Sequence, residues 1–339
     1  MAYTAIDDAG IFFNTKLYTG TGASNALTGV GFQPDFTWIK NRDAADFHVL
    51  TDAVRGVTDY LVSDDTDAET TNAESLTGFD SDGFTVGTMN EVNTNTEAFV
   101  AWNWKANGAG SANTDGTINT TATSVNTTAG FSISTYTGTG SAATIGHGLG
   151  VAPKVFMIKR RDDTGDWRMY TEMTGNESQL SLNQNSAADS GNTTIWNSTS
   201  PTSTTVAFGT HGNVNASSGT YVAYCFAEKQ GFSKFGSYTG NGNADGSFVY
   251  TGFRPTFLMV KRSDSTSNWT IVDTVRGSYN VIGPYLDVNE ANTEGTYLGW
   301  DIVSNGFKFR NTDAGINASG GTYIYMAFAE SPFVNSEGV

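Results

Sequence analysis

The sequence predicts an all-β fold made of three tandem repeats, and three observations support that prediction. The chain of 339 residues contains 39 glycines, 12% aromatic residues and only 15% charged residues, a composition typical of short strands joined by tight polar turns. One motif occurs three times, and each repeat ends in a segment with a period of two. We therefore expect three tandem antiparallel β-sandwich repeats of the jelly-roll or lectin-like kind, each about 100 residues long.

Each repeat begins with the motif Tyr-Thr-Gly-x-Gly, at Tyr18, Tyr136 and Tyr238. A Gly-x-x-Pro, an apolar run and a Lys-x-x-Asp follow, and the spacing from the Gly-x-x-Pro onward is the same every time. The Lys-x-x-Asp residues are Lys40 and Asp43, Lys159 and Asp162, and Lys261 and Asp264. Identical spacing at three places indicates that one structural unit has been repeated. We interpret the charged residues as a turn that closes a strand.

Two strands can be placed in the first half of each repeat. The first follows the proline, because proline cannot donate to a strand ladder and therefore marks where a strand begins. Its three copies begin at Phe36, Val155 and Phe257. The second strand is expected to carry an aromatic residue at an equivalent place in each repeat. The aromatic residues are Phe47, Trp167 and Trp269.

The last strand of each repeat shows the clearest alternation. In residues 322–330, Met326 and Phe328 point to one side, and the residues between them point to the other. Residues 97–105 and 220–228 repeat the pattern. Both sides are mostly apolar, which predicts a central strand that is covered on two faces.

The sequence divides into three repeats and one linker. We place the first repeat, with a short amino-terminal arm, at 1–106, the second at 130–231 and the third at 232–339. Residues 107–129 are rich in Gly, Asn, Ser and Thr, which predicts a flexible linker. Almost no residues separate the second repeat from the third. We therefore expect those two to form a rigid pair, each repeat with its own core and the first repeat on a longer tether.

A second charged pair occurs in two of the three repeats. The pairs are Asp52 with Arg55 and Asp273 with Arg276. Three residues separate each aspartate from its arginine just before a glycine, as in a charge-assisted pair that holds a turn. An anion or sugar site is the alternative interpretation. The middle repeat has Glu172 and Gly175 at this place and lacks the arginine, which favours the structural interpretation.

Candidate metal sites are weak in this sequence. Asp65, Asp67 and Glu69 alternate as calcium ligands do, but the stretch lacks the glycine and the distal glutamate of an EF-hand loop. We expect a solvated acidic loop, with calcium binding as the alternative. Of the three histidines, His48 lies in the first repeat and His147 and His211 in the second, so their spacing does not form a zinc set.

Candidate catalytic residues are equally weak, and we predict no enzyme, no cofactor and no catalytic residue. The sequence has no nucleophile elbow and no phosphate-cradling loop before a helix. A pair of carboxylates for glycoside hydrolysis is the alternative. Cys225 is the sole cysteine and is expected to pack as a small apolar residue. Its alignment with Asn103 and Ala327 in the other repeats supports that expectation.

The charge and hydropathy exclude two classes of partner. The net charge of -16 disfavours nucleic acids and anionic membranes, because both bind clustered Lys and Arg. The sequence has no apolar stretch long enough to span a membrane, and we expect no signal peptide because its first residues lack a basic segment and an apolar core. We expect no nucleic acid and no membrane insertion, and a chain that is made as a soluble product inside the cell. A single cysteine also excludes an intrachain disulfide.

Several strings in the sequence resemble one known protein family. The clearest are 146–154, 220–228, 237–242, 248–255 and 319–332, together with 5–8, 32–35 and 82–85 near the amino terminus. They are similar to a repeat family of tailed-bacteriophage virion proteins that is frequent in marine phages and is described as structural or tail-fibre-like. The resemblance covers almost the whole chain, and it brings no catalytic residues with it.

The resemblance implies a virion protein that is assembled in the host cytoplasm and released by lysis. A tail fibre or receptor-binding component for host attachment is the role we favour. A capsid decoration protein is the alternative, and a tail enzyme that degrades polysaccharide is a further one. The implied partners are other virion proteins and a glycan or protein of the host cell surface. A homo-oligomer is also implied, with a trimer favoured because phage adhesins are commonly trimers.

Overall fold

The computed structural model describes residues 6–331. Strands make up 44% of the structure and helices 6%, and the sheets are antiparallel. The all-β prediction is therefore confirmed. The α-helices described are single turns of four residues, and a 3-10 turn of three residues lies near the amino terminus.

The first repeat contains one large sheet and one small sheet. Its strands are β1 (Phe13–Thr19), β2 (Asn25–Thr28), β3 (Phe36–Asn41), β4 (Val49–Asp52), β5 (Gly56–Val62), β6 (Thr70–Thr71), β7 (Leu76–Asp80), β8 (Gly83–Val86) and β9 (Ala98–Trp104). A 3-10 turn, Ala9–Ile11, precedes β1, and helix α1 (Asn90–Asn93) precedes β9. The large sheet has the order β1-β9-β3-β4-β5-β6, and the small sheet has the order β2-β8-β7.

The second repeat has the same two layers. Its strands are β10 (Ala122–Asn126), β11 (Phe131–Thr137), β12 (Ala143–Gly146), β13 (Val155–Arg160), β14 (Arg168–Thr171), β15 (Ser178–Ser181), β16 (Asp189–Ser190), β17 (Thr205–Phe208) and β18 (Thr220–Phe226). Helices α2 (Thr193–Trp196) and α3 (Gly212–Asn215) lie in its second half. The large sheet has the order β10-β11-β18-β13-β14-β15-β16, and β12 pairs with β17.

In the third repeat the two layers join into one continuous sheet. Its strands are β19 (Ser233–Thr239), β20 (Phe248–Tyr250), β21 (Arg254–Arg262), β22 (Trp269–Asp273), β23 (Ile282–Asp287), β24 (Gly295–Val303), β25 (Gly306–Phe309) and β26 (Thr322–Ser331), and helix α4 (Ala314–Asn317) precedes β26. The order is β19-β26-β21-β22-β23-β24-β25-β20. The long strand β24 connects the two layers.

The central part of the large sheet has the same strand order in all three repeats. The strand that carries the motif tyrosine comes first, followed by the last strand of the repeat, the strand at the proline and the next two strands. The three orders are β1-β9-β3-β4-β5, β11-β18-β13-β14-β15 and β19-β26-β21-β22-β23. The register is also shared. The residues at the start of the post-proline strand pair with the last strand as Phe36 with Trp104, Val155 with Phe226, and Phe257 with Phe328. Equivalent residues of the three repeats can therefore be read directly from these pairings.

The shared register corrects two alignments made from the sequence. Ile39 pairs with Val49 and Lys261 pairs with Trp269, so the equivalent of Trp269 in the first repeat is His48. Phe47 lies one residue away from the predicted position and is 40% exposed. In the middle repeat Thr171, not Glu172, occupies the place of Asp52 and Asp273. The equivalence of these three positions follows from the strand pairings, which are Phe36 with Asp52, Val155 with Thr171 and Phe257 with Asp273.

The segment 107–129, which we predicted to be a flexible linker, is largely built into the second repeat. Its last part forms β10, which pairs with β11. Further upstream, Ser111 exchanges backbone hydrogen bonds with Thr123, and the Ile118 amide donates to the Thr144 carbonyl at 2.9 Å. Ile118 is also buried. A polar composition does not make this segment a tether, because the edge of a sheet satisfies its backbone groups.

The three repeats share one hydrophobic core rather than having separate cores. The last strands divide their side chains between two faces, as predicted. In β18, Tyr224 and Phe226 face the shared core, and Tyr221 and Cys225 face a second cluster between the two layers of that repeat. The first repeat has its own such cluster as well.

Aromatic contacts join every pair of repeats in the shared core. Ring centroids are 4.6 Å apart between Phe36 and Tyr224, 5.1 Å between Phe13 and Phe328, and 6.1 Å between Phe226 and Phe328. The first repeat therefore packs against both others, and the expectation of a separate, tethered first repeat is corrected. Apolar residues on the inner face of each sheet are the physical reason, since none of the three faces is covered by its own repeat.

Candidate functional site

The contacts between repeats follow a threefold pattern in which equivalent residues bind equivalent partners. His48, Trp167 and Trp269 occupy equivalent positions in the three repeats. A ring nitrogen of each contacts a backbone carbonyl of the preceding repeat, with the third repeat counted as preceding the first. The three contacts are His48 Nε2 with the Asp287 carbonyl at 3.1 Å, Trp167 Nε1 with the Val62 carbonyl at 2.7 Å, and Trp269 Nε1 with the Ser181 carbonyl at 3.0 Å. The first repeat thus contacts the third, the second contacts the first and the third contacts the second. The cycle closes within a single chain.

His48 replaces the tryptophan of the other repeats because it can make the same contact. Trp38 Nε1 donates to His48 Nδ1 at 3.0 Å, so the ring proton lies on Nε2, which donates to the carbonyl of the third repeat. Burial lowers the pKa of His48 well below its usual value. The neutral imidazole therefore acts as a structural donor rather than as a titrating group.

A second set of equivalent hydrogen bonds runs around the cycle in the opposite direction. These are the backbone bonds from the amide of Glu69 to the carbonyl of Arg161, from Ala188 to Ser263 and from Glu294 to Arg42, each 2.9 Å long. Every repeat therefore donates to both of its neighbours. We name the three contact regions junction 1/2, junction 1/3 and junction 2/3 after the repeats that they join.

Junction 1/2 contains a buried ion network of four charged residues and one phenol. Asp52 Oδ2 accepts from Arg55 Nε at 2.5 Å and from the Tyr224 hydroxyl at 2.6 Å. Arg55 also donates to Glu69 at 2.9 Å. Glu69 in turn binds Arg161 of the second repeat through two hydrogen bonds, of 3.0 and 2.7 Å. The side chains of Asp52 and Arg55 are fully buried, so the pair is stable only because each charge has its partner.

Junction 1/3 repeats this network with one exchange. Asp273 Oδ2 accepts from Arg276 Nε at 2.6 Å and from Trp102 Nε1 at 3.1 Å. Arg276 donates to Glu294 at 3.0 Å, and Glu294 binds Arg42 of the first repeat at 3.0 and 2.7 Å. The indole of Trp102 thus takes the place of the Tyr224 phenol as the donor from the neighbouring repeat.

Junction 2/3 has no charged residue at any of the five equivalent positions. They are Thr171, Thr174, Ala188, Ser263 and Met326. Thr171 Oγ1 lies 3.0 Å from Thr174 Oγ1, so a hydroxyl pair replaces the ion pair. Glu172, which the sequence suggested for this place, instead forms a surface ion pair with Lys154. All members of the network are therefore replaced together.

The lysines of the Lys-x-x-Asp motif are buried beside the junctions. Lys40, Lys159 and Lys261 are fully buried, and burial lowers the pKa of each to about 8. Each ammonium donates to two backbone carbonyls. For Lys159 one of these is the Thr66 carbonyl of the first repeat at 2.8 Å, and for Lys261 one is the Asn185 carbonyl of the second repeat at 3.1 Å. Lys159 and Lys261 therefore hold loops across junctions, whereas Lys40 donates to the Asn41 and Ala44 carbonyls of its own repeat.

The aspartates of the same motif hold the first residue of the last strand. Asp43 accepts from the Ala98 amide at 2.7 Å, and Asp162 accepts from the Thr220 amide at 2.9 Å. Asp264 accepts from the backbone of Thr322 in the same way, and its pKa is lowered, first by the hydrogen bond from Arg262. The motif therefore ties one strand end to another, as a structural turn would.

Sequence reasoning missed a buried asparagine that explains the Tyr-Thr-Gly-x-Gly motif. The three residues are Asn93, Asn215 and Asn317, each fully buried at the end of a helical turn. In the second repeat, Asn215 Oδ1 accepts from the Thr139 amide at 2.8 Å and its Nδ2 donates to the Gly209 carbonyl at 2.8 Å. The hydroxyl of Tyr136 donates to the carbonyl of the residue before it, Val214, at 2.7 Å.

The same asparagine and tyrosine contacts occur in the first and third repeats. The glycine that ends the motif has a positive φ in each repeat, at Gly22, Gly140 and Gly242, so the chain can wrap around the asparagine. The repeated Val-Asn or Ile-Asn before the last strand was the signal in the sequence.

The remaining candidate residues also have structural contacts. Glu69 of the acidic stretch belongs to junction 1/2, and among residues 6–331 no three His, Cys, Asp or Glu side chains are grouped to hold a metal ion. His147 Nδ1 accepts from the Leu149 amide at 3.1 Å. Cys225 is buried, which raises the pKa of its thiol to about 12. None of the helices in the described part of the chain is long and apolar enough to cross a membrane.

Comparison with known families gives one match. Residues 8–332 fit the sequence profile of a family described as a domain of unknown function, DUF7483. The match begins before β1 and extends past β26, so the unit that defines the family contains all three repeats. No curated protein matches the chain.

Proposed function

The chain belongs to the DUF7483 family, and we propose that it is a non-enzymatic structural protein of a bacteriophage virion. Within the virion we place it at the tail, as a fibre-like or receptor-binding component used in attachment to the host. The similarity of its repeats to tailed-phage virion proteins motivates this proposal. Its partners are then other virion proteins and a glycan or protein of the host surface.

One observation carries the non-enzymatic part of the proposal. The charged residues that recur in the repeats are engaged in structural contacts within and between the repeats. Asp52, Arg55, Asp273 and Arg276 are buried in ion networks, and the repeated lysines donate to backbone carbonyls. A carboxylate that works as an acid or base must reach its substrate, whereas these carboxylates are enclosed between sheets.

The threefold arrangement supports a role in a symmetric particle. Phage adhesins are commonly trimers, and we expected this chain to form one. Here one chain supplies three equivalent sheets around one core, as three separate chains would in a trimer. We therefore propose that the chain acts as a monomeric substitute for a trimer and docks on a threefold partner in the virion.

Exposed aromatic residues of the third repeat support a binding role for that repeat. Phe248 is 50% exposed and Tyr279 is 87% exposed. Large aromatic side chains are enriched in protein interfaces and are costly to leave in water. The three repeats share their inner backbone contacts, and outer residues such as these can differ between repeats without harm to the fold.

Mass spectrometry of purified virions of the encoding phage tests the proposal. We expect peptides of this chain at a tail-like copy number, in the range of a few to a few dozen per particle. Hundreds of copies would place the chain on the capsid as a decoration protein instead. Absence from the particle would contradict the virion assignment, and hydrolysis of host polysaccharide by the purified chain would contradict the non-enzymatic role.

A further inference from the structure

A small polar pocket opens on the outer surface of the third repeat. Its volume is ≈ 170 Å³, whereas sites for drug-sized ligands hold roughly 300–1,000 Å³. The residues that line it include Asn268, Thr270, Tyr285, Asp287, Tyr297 and Asp313. Asn268 and Asp313 lie just before β22 and α4, and the other four come from β22, β23 and β24. The pocket therefore suits one ring of a ligand rather than a large molecule.

Two tyrosines form the aromatic side of the pocket. The rings of Tyr285 and Tyr297 are 4.8 Å apart and inclined at 75°, and Trp300 supports Tyr297 from behind at 5.1 Å. The rings are therefore fixed in orientation. Within residues 6–331, no hydrogen bond engages either phenol hydroxyl, so both hydroxyls can bind a ligand.

The polar side of the pocket is ordered and carries negative charge. Asp287 accepts from Asn268 Nδ2 at 3.0 Å and from the Thr270 hydroxyl at 2.9 Å. Asp313 accepts from the Gly315 amide at 2.7 Å. Each carboxylate has lone pairs left for a further donor. The lining residues include no lysine or arginine, so an anionic ligand would be repelled.

The other two repeats fill the equivalent place with their own side chains. In the second repeat Arg168 takes the position of Thr270, and it donates to Ser181 at 2.7 Å and to Asp166 at 2.8 Å. In the first repeat Val49 and Val62 take the positions of Thr270 and Asp287, and both are buried. The shared fold therefore does not require the pocket, and its polar lining belongs to the third repeat alone among these equivalent positions.

We propose that this pocket binds one neutral saccharide unit of a surface glycan. Vicinal sugar hydroxyls donate to carboxylates and accept from phenol and amide donors, and the apolar face of a sugar ring packs on an aromatic ring. The negative lining selects a neutral sugar over a uronic or sialic acid. This inference rests on the proposed role in host attachment and names the ligand for that role.

Saturation-transfer NMR with the full chain tests the inference. The probes are the neutral methyl glycosides of glucose, galactose and mannose, with glucuronate as the anionic comparison, all in EDTA. The test variant is Thr270→Arg, which copies the side chain that fills the second repeat, so the fold should be kept. The control is Tyr60→Phe, because Tyr60 is the first-repeat equivalent of Tyr285 and does not line this pocket.

We expect saturation transfer to at least one neutral glycoside, lost or weakened at least tenfold in Thr270→Arg and unchanged in Tyr60→Phe. Absence of transfer to every neutral glycoside, equal binding by Thr270→Arg, or stronger binding of glucuronate would overturn the inference. Virion composition separates this failure from failure of the proposed function. A chain that is present in the tail but binds no neutral sugar contradicts only the pocket's role.

Discussion

Junction 1/2 and junction 2/3 have the same backbone geometry and opposite chemistry. The backbone hydrogen bond that marks each junction is 2.9 Å long in both. In junction 1/2 the buried side chains form an ion network, and in junction 2/3 they are hydroxyls and apolar groups. The ring can therefore close without an ion network at these five positions. The difference indicates that the buried ion network contributes less to net stability than its short hydrogen bonds suggest. The cost of removing the charges from water offsets the attraction between them.

The comparison also explains why the five positions change together. A buried aspartate without its arginine is costly, and so is the arginine without its carboxylates. If the repeats closed in the opposite cyclic order, Met326 would face Asp52 and Arg42 would face Ala188. The mixture of charged and uncharged junctions therefore favours one order of the three repeats over the other.

The largest expected effect comes from the core that both kinds of junction share. Phe328→Ala should destabilise the chain by about 3–5 kcal/mol, the usual cost of emptying a core aromatic site. Phe328 contacts Phe13 of the first repeat and Phe226 of the second, so the whole chain should be affected. Urea denaturation checks this through one shifted transition. A variant in which only the third repeat unfolds early would contradict the shared core.

Breaking one charged junction should cost nearly as much. Arg55→Met leaves Asp52 buried without its cation, and we expect a loss of about 3–5 kcal/mol. Thr174→Val changes the equivalent residue in junction 2/3 and should cost only about 1 kcal/mol. Urea denaturation of both variants gives the comparison. Equal losses would show that the two junctions do not differ as described.

Converting the whole junction should cost less than breaking it. The combined variant carries Asp52→Thr, Arg55→Thr, Glu69→Ala, Arg161→Ser and Tyr224→Met, which gives junction 1/2 the residues of junction 2/3. We expect it to lie within about 2 kcal/mol of the natural chain, because no buried charge is left unpaired. If it is less stable than Arg55→Met, then the network itself stabilises the ring.

The threefold ring of hydrogen bonds should be less sensitive to substitution. Trp167→Phe removes the donor to the Val62 carbonyl in junction 1/2, and Trp269→Phe removes the donor to the Ser181 carbonyl in junction 2/3. We expect each change to cost about 1–2 kcal/mol, since one buried hydrogen bond is lost. Thermal denaturation of the two variants should give similar losses. A large difference would show that the two equivalent hydrogen bonds contribute unequally to the stability of the chain.

The smallest expected effect is a pH dependence that is specific to the first repeat. Burial raises the pKa of Asp64 to about 7. Asn183 and Asn289 take its place in the other repeats, where each accepts from the backbone amide of the equivalent Trp167 or Trp269. Asp64 accepts likewise from the His48 amide at 3.2 Å.

Asp64 is protonated more readily in the folded chain than in the unfolded chain, where its pKa is about 3.9. Its contribution to stability is therefore fully present below about pH 4 and is lost as the pH rises through 7. Asp64→Asn should remove this dependence and stabilise the chain above pH 7, where the buried carboxylate would otherwise be charged. Parallel pH profiles of the two proteins would contradict the prediction.

The sequence was sufficient for the strands and for the spacing of the repeat, because both depend on local patterns. The alternation in 322–330 and the prolines before Phe36, Val155 and Phe257 predicted strands that the structure contains. In the third repeat, however, the strand begins at Arg254 and includes Pro255, with register shifts on both sides of that proline. The role of the Lys-x-x-Asp motif as a turn also agrees with its contacts. These features follow from period, proline chemistry and turn residues, which act within one repeat.

The relation between repeats could not be predicted, because it depends on contacts between distant residues. An apolar inner face looks the same in sequence whether its own repeat or a neighbour covers it. The polar composition of 107–129 likewise does not reveal that β10 finds a sheet edge. The substitution of His48 for tryptophan was hidden by the adjacent Phe47, since only the strand register separates the two positions.

Small-angle X-ray scattering of the full chain tests the shared core most directly. A single compact body of this length should have a radius of gyration of about 20 Å and a distance distribution with one maximum. Three repeats with separate cores and a tether after the first would give a clearly larger radius and a distribution with an extended shoulder. The first result is the one we predict, and the second would contradict the ring of three repeats around one core.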